Sequence, residues 1–283
     1  MEHNVTVTGG RAGLADRILR NRAAGEGSLL PYFTAGFPNT ATVAELILRA
    51  DAVGVAVIEI GVPYSDSIAD GPVIQGSFHH ALAHGFKVDD CFSLVESVRP
   101  SVSCGLVVMV SCSIVYRTGL GLFMNRAAAA GFDGIILPDV PVEESAAAAG
   151  AAGDVGLSFI GMIAPGTSLA RRQVIVRSSS GFLYRIAVAG TTGERAGLPA
   201  DLGADVAELR GIGGLPVCIG FGVSTPRQVR EVCTIAEGAI VGSAIIRRIF
   251  DGLNRGLEGP ALIDSVAAFL SDLMTGTKAR GTP

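Results

Sequence analysis

The sequence predicts an α/β fold, a single closed (β/α)8 TIM barrel, on three observations. Short apolar runs alternate with longer amphipathic or alanine-rich segments along the chain. There are eight such runs, recurring roughly every 25–30 residues, the spacing of successive βα units. Most of them are continuously apolar, as strands covered by helices on their outer face and closed on themselves inside must be. An open doubly wound sheet is the competing architecture, but its dinucleotide fingerprint G-x-G-x-x-G does not follow the first run.

In chain order, residues 1–24 carry an apolar pattern at Leu14, Ile18 and Leu19 that predicts an N-terminal helix plugging the bottom of the barrel. The predicted strands are Leu29–Thr34, Ala56–Ile60, Gly105–Val110, Gly134–Leu137, Leu157–Ile163, Gly181–Ala187, Leu215–Ile219 and Ala239–Val241. Helical segments between them include Ala41–Ala52, Leu120–Ala130, Glu143–Ala152 and Pro226–Ala236. The interval between the second and third strands is too long for one helix. Ser67–His84 reads as an extra loop and helix, followed by the regular helix near Asp89–Val98. A last helix spans about Ala261–Leu273, and Gly276–Pro283 reads as a frayed tail. No linker divides residues 1–283, so one domain is expected.

Composition narrows the function. With 49% hydrophobic and 17% charged residues the chain is too apolar for disorder. A net charge of −4 without clustered Lys and Arg argues against a nucleic-acid footprint, so an anionic substrate would need local donors. The five cysteines lack C-x-x-C spacing and are odd in number, which points to reduced thiols in a cytoplasm. His79, His80 and His84 have no Cys, Asp or Glu at ligand spacing, so no metal is expected. No apolar stretch approaches the ~20 residues of a membrane span.

Chemistry in such barrels sits at the C-terminal ends of the strands. The second strand reads Val57-Ile58-Glu59-Ile60-Gly61, and its single carboxylate, turned inward, would meet low dielectric and hold its proton to higher pH. Asp66 and Asp70 follow within the turn-rich segment Pro63–Pro72; either could equally cap a turn. Three carboxylates on one face suit acid–base work. Glycines at Gly220, Gly222 and Gly242, with Ser243, follow the last two strands, where backbone amides and a helix N-terminus commonly hold phosphate. Gly190-Thr191-Thr192-Gly193 opens a long stretch to Leu202 that suits a mobile lid. These features describe a barrel enzyme acting on a small phosphorylated substrate by acid–base chemistry.

Read together, the segments Pro31–Gly36, Ile58–Gln75, Ile136–Ser145, Gly190–Gly193, Gly220–Val229 and Val241–Ile246 resemble the tryptophan synthase alpha chain family. The stretch IEIGVPYSDSIADGPVIQ carries most of that specificity. The resemblance implies retro-aldol cleavage of indole-3-glycerol phosphate to indole and glyceraldehyde 3-phosphate. By the same resemblance Glu59 is the acid/base, Asp70 binds the indole N–H, and Tyr184 lines the pocket. Thr192 orders Asp70 when the lid closes; Gly193, Gly222, Gly242 and Ser243 hold the phosphate; Phe33 and Leu137 lie near the pocket. No cofactor is implied for this chain, since pyridoxal phosphate belongs to the beta subunit of an alpha2beta2 heterotetramer. The sequence departs from the family at Ser67, where a Pro is usual, and at Val110-Ser111-Cys112-Ser113-Ile114, where a Tyr-rich stretch and Asn-Pro are common. Asp66, Ser67 and Ser113 fall on loops that face the beta subunit in the family. Two alternatives stay open: a beta-independent lyase supplying free indole to another pathway, and a non-catalytic homologue that activates a partner.

Overall fold

A computed structural model describes residues 13–67, 70–187, 198–220 and 222–278. Helix α1 (Leu14–Ala23) precedes β1 (Ser28–Thr34), α2 (Thr40–Ala52) and β2 (Val57–Gly61). Then come α3 (Pro72–Ala83), α4 (Val88–Val98), β3 (Gly105–Met109), α5 (Cys112–Thr118), α6 (Leu120–Ala130) and β4 (Gly134–Ile136). The second half runs α7 (Ser145–Gly153), β5 (Ser158–Phe159), β6 (Gly161–Ile163), α8 (Leu169–Ser178), β7 (Leu183–Ile186) and α9 (Leu202–Gly213). It ends with β8 (Val217–Gly220), α10 (Pro226–Ile235), β9 (Gly238–Val241), α11 (Ser243–Asn254) and α12 (Gly259–Met274).

All strand pairs are parallel, in the order β5-β4-β3-β2-β1-β9-β8-β7-β6. The two ends of that order, β5 and β6, are separated in sequence by Ile160 alone. They are halves of one strand, so the sheet closes on itself into the expected eight-stranded barrel. Closure removes both sheet edges, which leaves the helices as the outer layer.

Period-2 alternation sorts the strand residues. Leu30, Val57, Val107, Ile136, Ile160, Phe182, Cys218 and Ile240 form one buried cluster inside the barrel. Leu29, Phe33, Ile58, Ile60, Leu106, Val108, Ile135, Leu183, Val217 and Ile219 belong to the larger cluster that packs against the helices.

The inner cluster is closed from below by Leu14 and Ile18 of α1, both fully buried. Gly105 and Gly134 make room for this plug, since a Cβ on either would collide with Leu14. The expected plug is therefore present, with one correction. Leu19 is 43% exposed, because a position one residue beyond Ile18 turns ~100° away from the shared face.

The remaining helix ends follow local rules. Asn39 accepts from the Thr42 amide at 2.8 Å, and Thr225 precedes Pro226 at the start of α10. Gly131, at φ +100°, ends α6 in the left-handed conformation that favours glycine. The tail expected to fray is held as far as it is described. Gly276 and Thr277 are buried, and the Thr277 carbonyl accepts from the Gly27 amide at 2.8 Å, just before β1.

The plug generates a contrast that unfolding experiments can read. Leu14→Ala removes a buried side chain from beneath the barrel and is expected to cost about 2–5 kcal/mol. Leu19→Ala, one turn along on the exposed face, is expected to cost less than ~0.5 kcal/mol. Urea denaturation of the two variants and the parent chain checks both values.

Candidate active site at the top of the barrel

Strand β2 is flanked by β1 and β3, and the register sets Glu59 level with Tyr32 and Val107. Alternation puts Glu59 on the same face as Val57, inside the barrel. Its side chain is fully buried, and among the described residues neither carboxyl oxygen has a hydrogen-bond partner. Burial without a partner penalises the charged form and pushes the Glu59 pKa up to about 8. At neutral pH this carboxyl is a neutral acid that can both give and retake a proton.

Tyr32 of β1 and Tyr184 of β7 flank the space around it. Both phenols are raised by burial, and Glu59 and Asp70 add to the effect in each. A Cβ on Gly61 would collide with the Tyr32 ring, and one on Gly220 would stand 2.5 Å from the Tyr184 hydroxyl. Glycine at the ends of β2 and β8 is what lets the two rings lean across neighbouring strands.

Asp70 comes from the loop between β2 and α3. Burial raises its pKa to about 6; the Tyr64 hydroxyl opposes that rise and Asp139 adds to it. Tyr64 Oη donates to Asp70 Oδ2 at 3.4 Å. Gln75 Nε2 donates to the carbonyls of Ser67 at 2.9 Å and Asp70 at 2.8 Å, which closes the loop from the helix side. Ser67 is buried, whereas Asp66 is exposed.

Two places round the barrel from β2, past β1, Gly242 immediately precedes α11 and Ser243 is its first residue. The amides of Ile245 and Ile246 bond to the Gly242 carbonyl, so by helix geometry those of Ser243 and Ala244 have no acceptor within the helix. Gly222, at φ +70°, sits on the neighbouring loop after β8. These groups form an anion-ready edge with the positive end of a helix dipole behind it.

Two expected pocket residues fall elsewhere. Phe33 and Leu137 belong to the layer between barrel and helices, with 1% and 3% exposure. Phe33 is one residue past Tyr32, so it must point outward. Tyr32 takes the place expected of it, and the sequence held the signal, since Tyr32 lies two residues beyond the inward Leu30. Tyr64, Gln75 and Asp139 were also missed; each acts through a contact across a loop that alternation cannot reveal. Thr192 and Gly193 lie outside the described residues, as does most of the expected lid, and Leu202 already begins α9.

The segment Ser111–Ser113 is a helix start. Ser111 Oγ donates to Asp139 Oδ2 at 2.6 Å, and the Cys112 amide donates to Asp139 Oδ1 at 2.7 Å. Ser113 Oγ lies 2.8 Å from Ser111 Oγ. Asp139, after β4, thus caps α5, after β3, and ties the two strand tops together.

Comparison with known proteins decides the family. The family model described as tryptophan synthase alpha chain matches residues 19–263. The chain belongs to the tryptophan synthase alpha chain family. It is 41% identical over 237 residues to the tryptophan synthase alpha chain of Rhodopirellula baltica, covering 83% of this chain and 85% of that one. The counterpart in Geobacter sp. strain M21 is 36% identical over 263 residues, 93% of this chain and 97% of its own. Among solved structures, Mycobacterium tuberculosis tryptophan synthase superposes with a TM-score of 0.85 at 28% identity, covering 96% of this chain and 100% of that chain. The alpha subunit from Legionella pneumophila gives 0.84 at 29% identity, over 93% and 97%. Tryptophan synthase alpha chains are lyases of tryptophan biosynthesis, and the pyridoxal phosphate of the holoenzyme belongs to the beta subunit. These relatives support the tryptophan synthase reading over the two alternatives.

The burial of Glu59 has a measurable consequence. Between its ordinary value near 4.5 and about 8, the folded chain keeps a proton that the unfolded chain has released. Stability therefore falls as pH rises through that window, with Asp70 adding the same sign up to about 6. Glu59→Gln should remove most of this slope, so its stability advantage over the parent grows from pH 5 to pH 8. Urea midpoints measured across that range check it; parallel curves would contradict the assignment.

Proposed function

We propose that Glu59 and Asp70 together carry out the retro-aldol cleavage of indole-3-glycerol phosphate. The supporting observation is a fully buried, unpartnered Glu59 whose burial keeps it protonated near neutral pH. In this reading the Glu59 proton goes to indole C3, and the ring nitrogen takes up positive charge. Asp70, ionised above about 6, faces the indole N–H and stabilises that charge. The Glu59 carboxylate then removes the proton of the adjacent glycerol hydroxyl. The carbon–carbon bond breaks, its electron pair returns to the indole ring, and glyceraldehyde 3-phosphate forms. Glu59 ends protonated, ready for the next turnover. Because the protonated indole is its own electron sink, the cleavage calls on acid–base groups alone.

The phosphate is assigned to the amides at Gly222, Gly242 and Ser243, and the indole to the space beside Tyr32 and Tyr184. Thr192 and Gly193 join the site on the family resemblance, as the lid threonine above Asp70 and a phosphate amide. The same resemblance assigns a beta subunit as partner, facing the loops that carry Asp66, Ser67 and Ser113. A cytoplasmic location agrees with five free cysteines. No helix among the described residues is long and apolar enough to cross a membrane.

Glu59→Gln tests the central role. It is expected to leave glycerol-phosphate binding intact and lower indole release by ~10²–10⁴. Retained cleavage would overturn the assignment. The same scheme needs Asp70 ionised and Glu59 protonated, so the kcat profile should be a bell with limbs near 6 and 8. For the partner, titration with the cognate beta subunit should raise indole production at least ~tenfold, as a fractionally ordered site becomes fully ordered.

A further inference from the structure

We propose that Tyr64 is a positioning residue for the lyase reaction, holding the Asp70 carboxylate in place and ionised before substrate arrives. The inference rests on the reading of Asp70 given above and extends it to a residue outside the expected site.

The Asp70 backbone is anchored at two points by the chain itself. Its amide donates to the Ser67 carbonyl at 3.1 Å, and its carbonyl accepts from Gln75 Nε2 at 2.8 Å. Gln75 Nε2 also reaches the Ser67 carbonyl, so the turn is closed without any help from the Asp70 side chain. The backbone hydrogen bonds of Asp70 therefore do not involve Tyr64. Yet the Tyr64 hydroxyl donates to Asp70 Oδ2, at a distance that is long for a strong bond and free to tighten in a substrate complex. Its ring is itself fixed, packed at 5.5 Å against Phe78 of α3. A ring held from behind with its hydroxyl aimed at one carboxylate oxygen is an orienting device.

The electrostatics agree. Burial and Asp139 disfavour the charged form of Asp70, whereas the Tyr64 hydroxyl favours it. Among the described residues, the phenols of Tyr32 and Tyr184, the carboxyls of Glu59 and Asp139 and the Cys112 thiol face this region, and none of them supplies a positive charge. The hydroxyl is thus a local donor that offsets part of the cost of ionising Asp70 in a partly buried place.

The test compares the full-length chain with Tyr64→Phe and Asp70→Asn in a steady-state indole-release assay from pH 5 to 9. Tyr64→Phe keeps the ring and its packing on Phe78. It is expected to lower kcat by ~5–20-fold with KM changed less than ~twofold, at an unchanged melting temperature. The acid limb of its kcat profile should move to higher pH by ~0.5–1 unit while the alkaline limb stays, because the Asp70 proton is bound more tightly without the donor. With Asp70→Asn inactive, a Tyr64→Phe variant of parental kcat, or one with reduced kcat but an unmoved acid limb, would overturn the proposal. Full activity in Asp70→Asn would instead overturn the reading of Asp70 itself, and the positioning role with it.

Discussion

A carboxyl group sealed inside a closed barrel must find a partner or keep its proton, and the rest of this site is organised around Glu59 keeping its own. The layer directly beneath it is apolar, from Leu30, Val57 and Val107 down to the Leu14 and Ile18 plug. Nothing there can share its charge, so the neutral form is the stable one. The fold accepts this because a protonated carboxyl costs far less to bury than a carboxylate. The same desolvation that makes Glu59 a neutral-pH acid makes the native state lose stability as the medium turns alkaline. Reactivity and instability here have one cause.

The second organising feature is the separation of unlike ends. Three acids, Asp66, Asp70 and Asp139, stand on the loops after β2 and β4, and Asp139 already acts unfavourably on Asp70. A phosphate brought there would meet like charge. Beyond β1 from the β2 loop, the start of α11 offers amides and a positive dipole end, next to the turn at Gly222. In the proposed reading, this asymmetry would orient a substrate with an electron-rich ring at one end and a phosphate at the other. A net charge of −4 makes such local donors necessary, since the field of the whole protein would not draw an anion in.

What the sequence made legible follows the same physics. Each expected strand core falls within an observed strand, because buried parallel strands are read from apolar runs. Leu120–Ala130 matches α6 to the residue, with Gly131 marking its end. Glu59 was legible as the one acidic residue inside such a run; the other charge, Arg185, is paired with Asp205. The errors sit where a signal averages over a segment. Leu157–Ile163 hid the break at Ile160, where one strand passes from β5 to β6. Phe33 and Leu137 were placed by proximity to conspicuous motifs, while the pleat assigns them outward. Helices α5, α8, α9 and α11 were not bounded individually, although strand–helix alternation implies a helix after each strand. In α8, Arg171 and Arg172 interrupt the pattern, and α11 hides its apolar face behind turn glycines. The contacts Tyr64–Asp70, Gln75–Ser67 and Ser111–Asp139 are tertiary, and no local pattern encodes them.

That last contact changes how the departure from the family at residues 110–114 is understood. Read as a list of side chains, Ser111-Cys112-Ser113 replaces bulky contact residues with small ones and weakens an apolar anchor. In the structure, small size is what the position requires. Ser111 is the N-cap of α5, where a short hydroxyl can serve both the Ser113 amide and the Asp139 carboxylate. A larger side chain there would push α5 away from Asp139. The polar tie fixes the tops of β3 and β4 to each other, and it holds Asp139 near Asp70, where its charge matters. Apolar contact has not vanished from this side, since Tyr116 and Leu122 on α5 and α6 stand 42% and 58% exposed. The chain has moved order inward to a capped helix start and left the apolar surface one to two turns farther along. A partner meeting this face would therefore find a rigid helix pair presenting two large side chains. An order inherent in the α5 start is one that the partner does not have to supply.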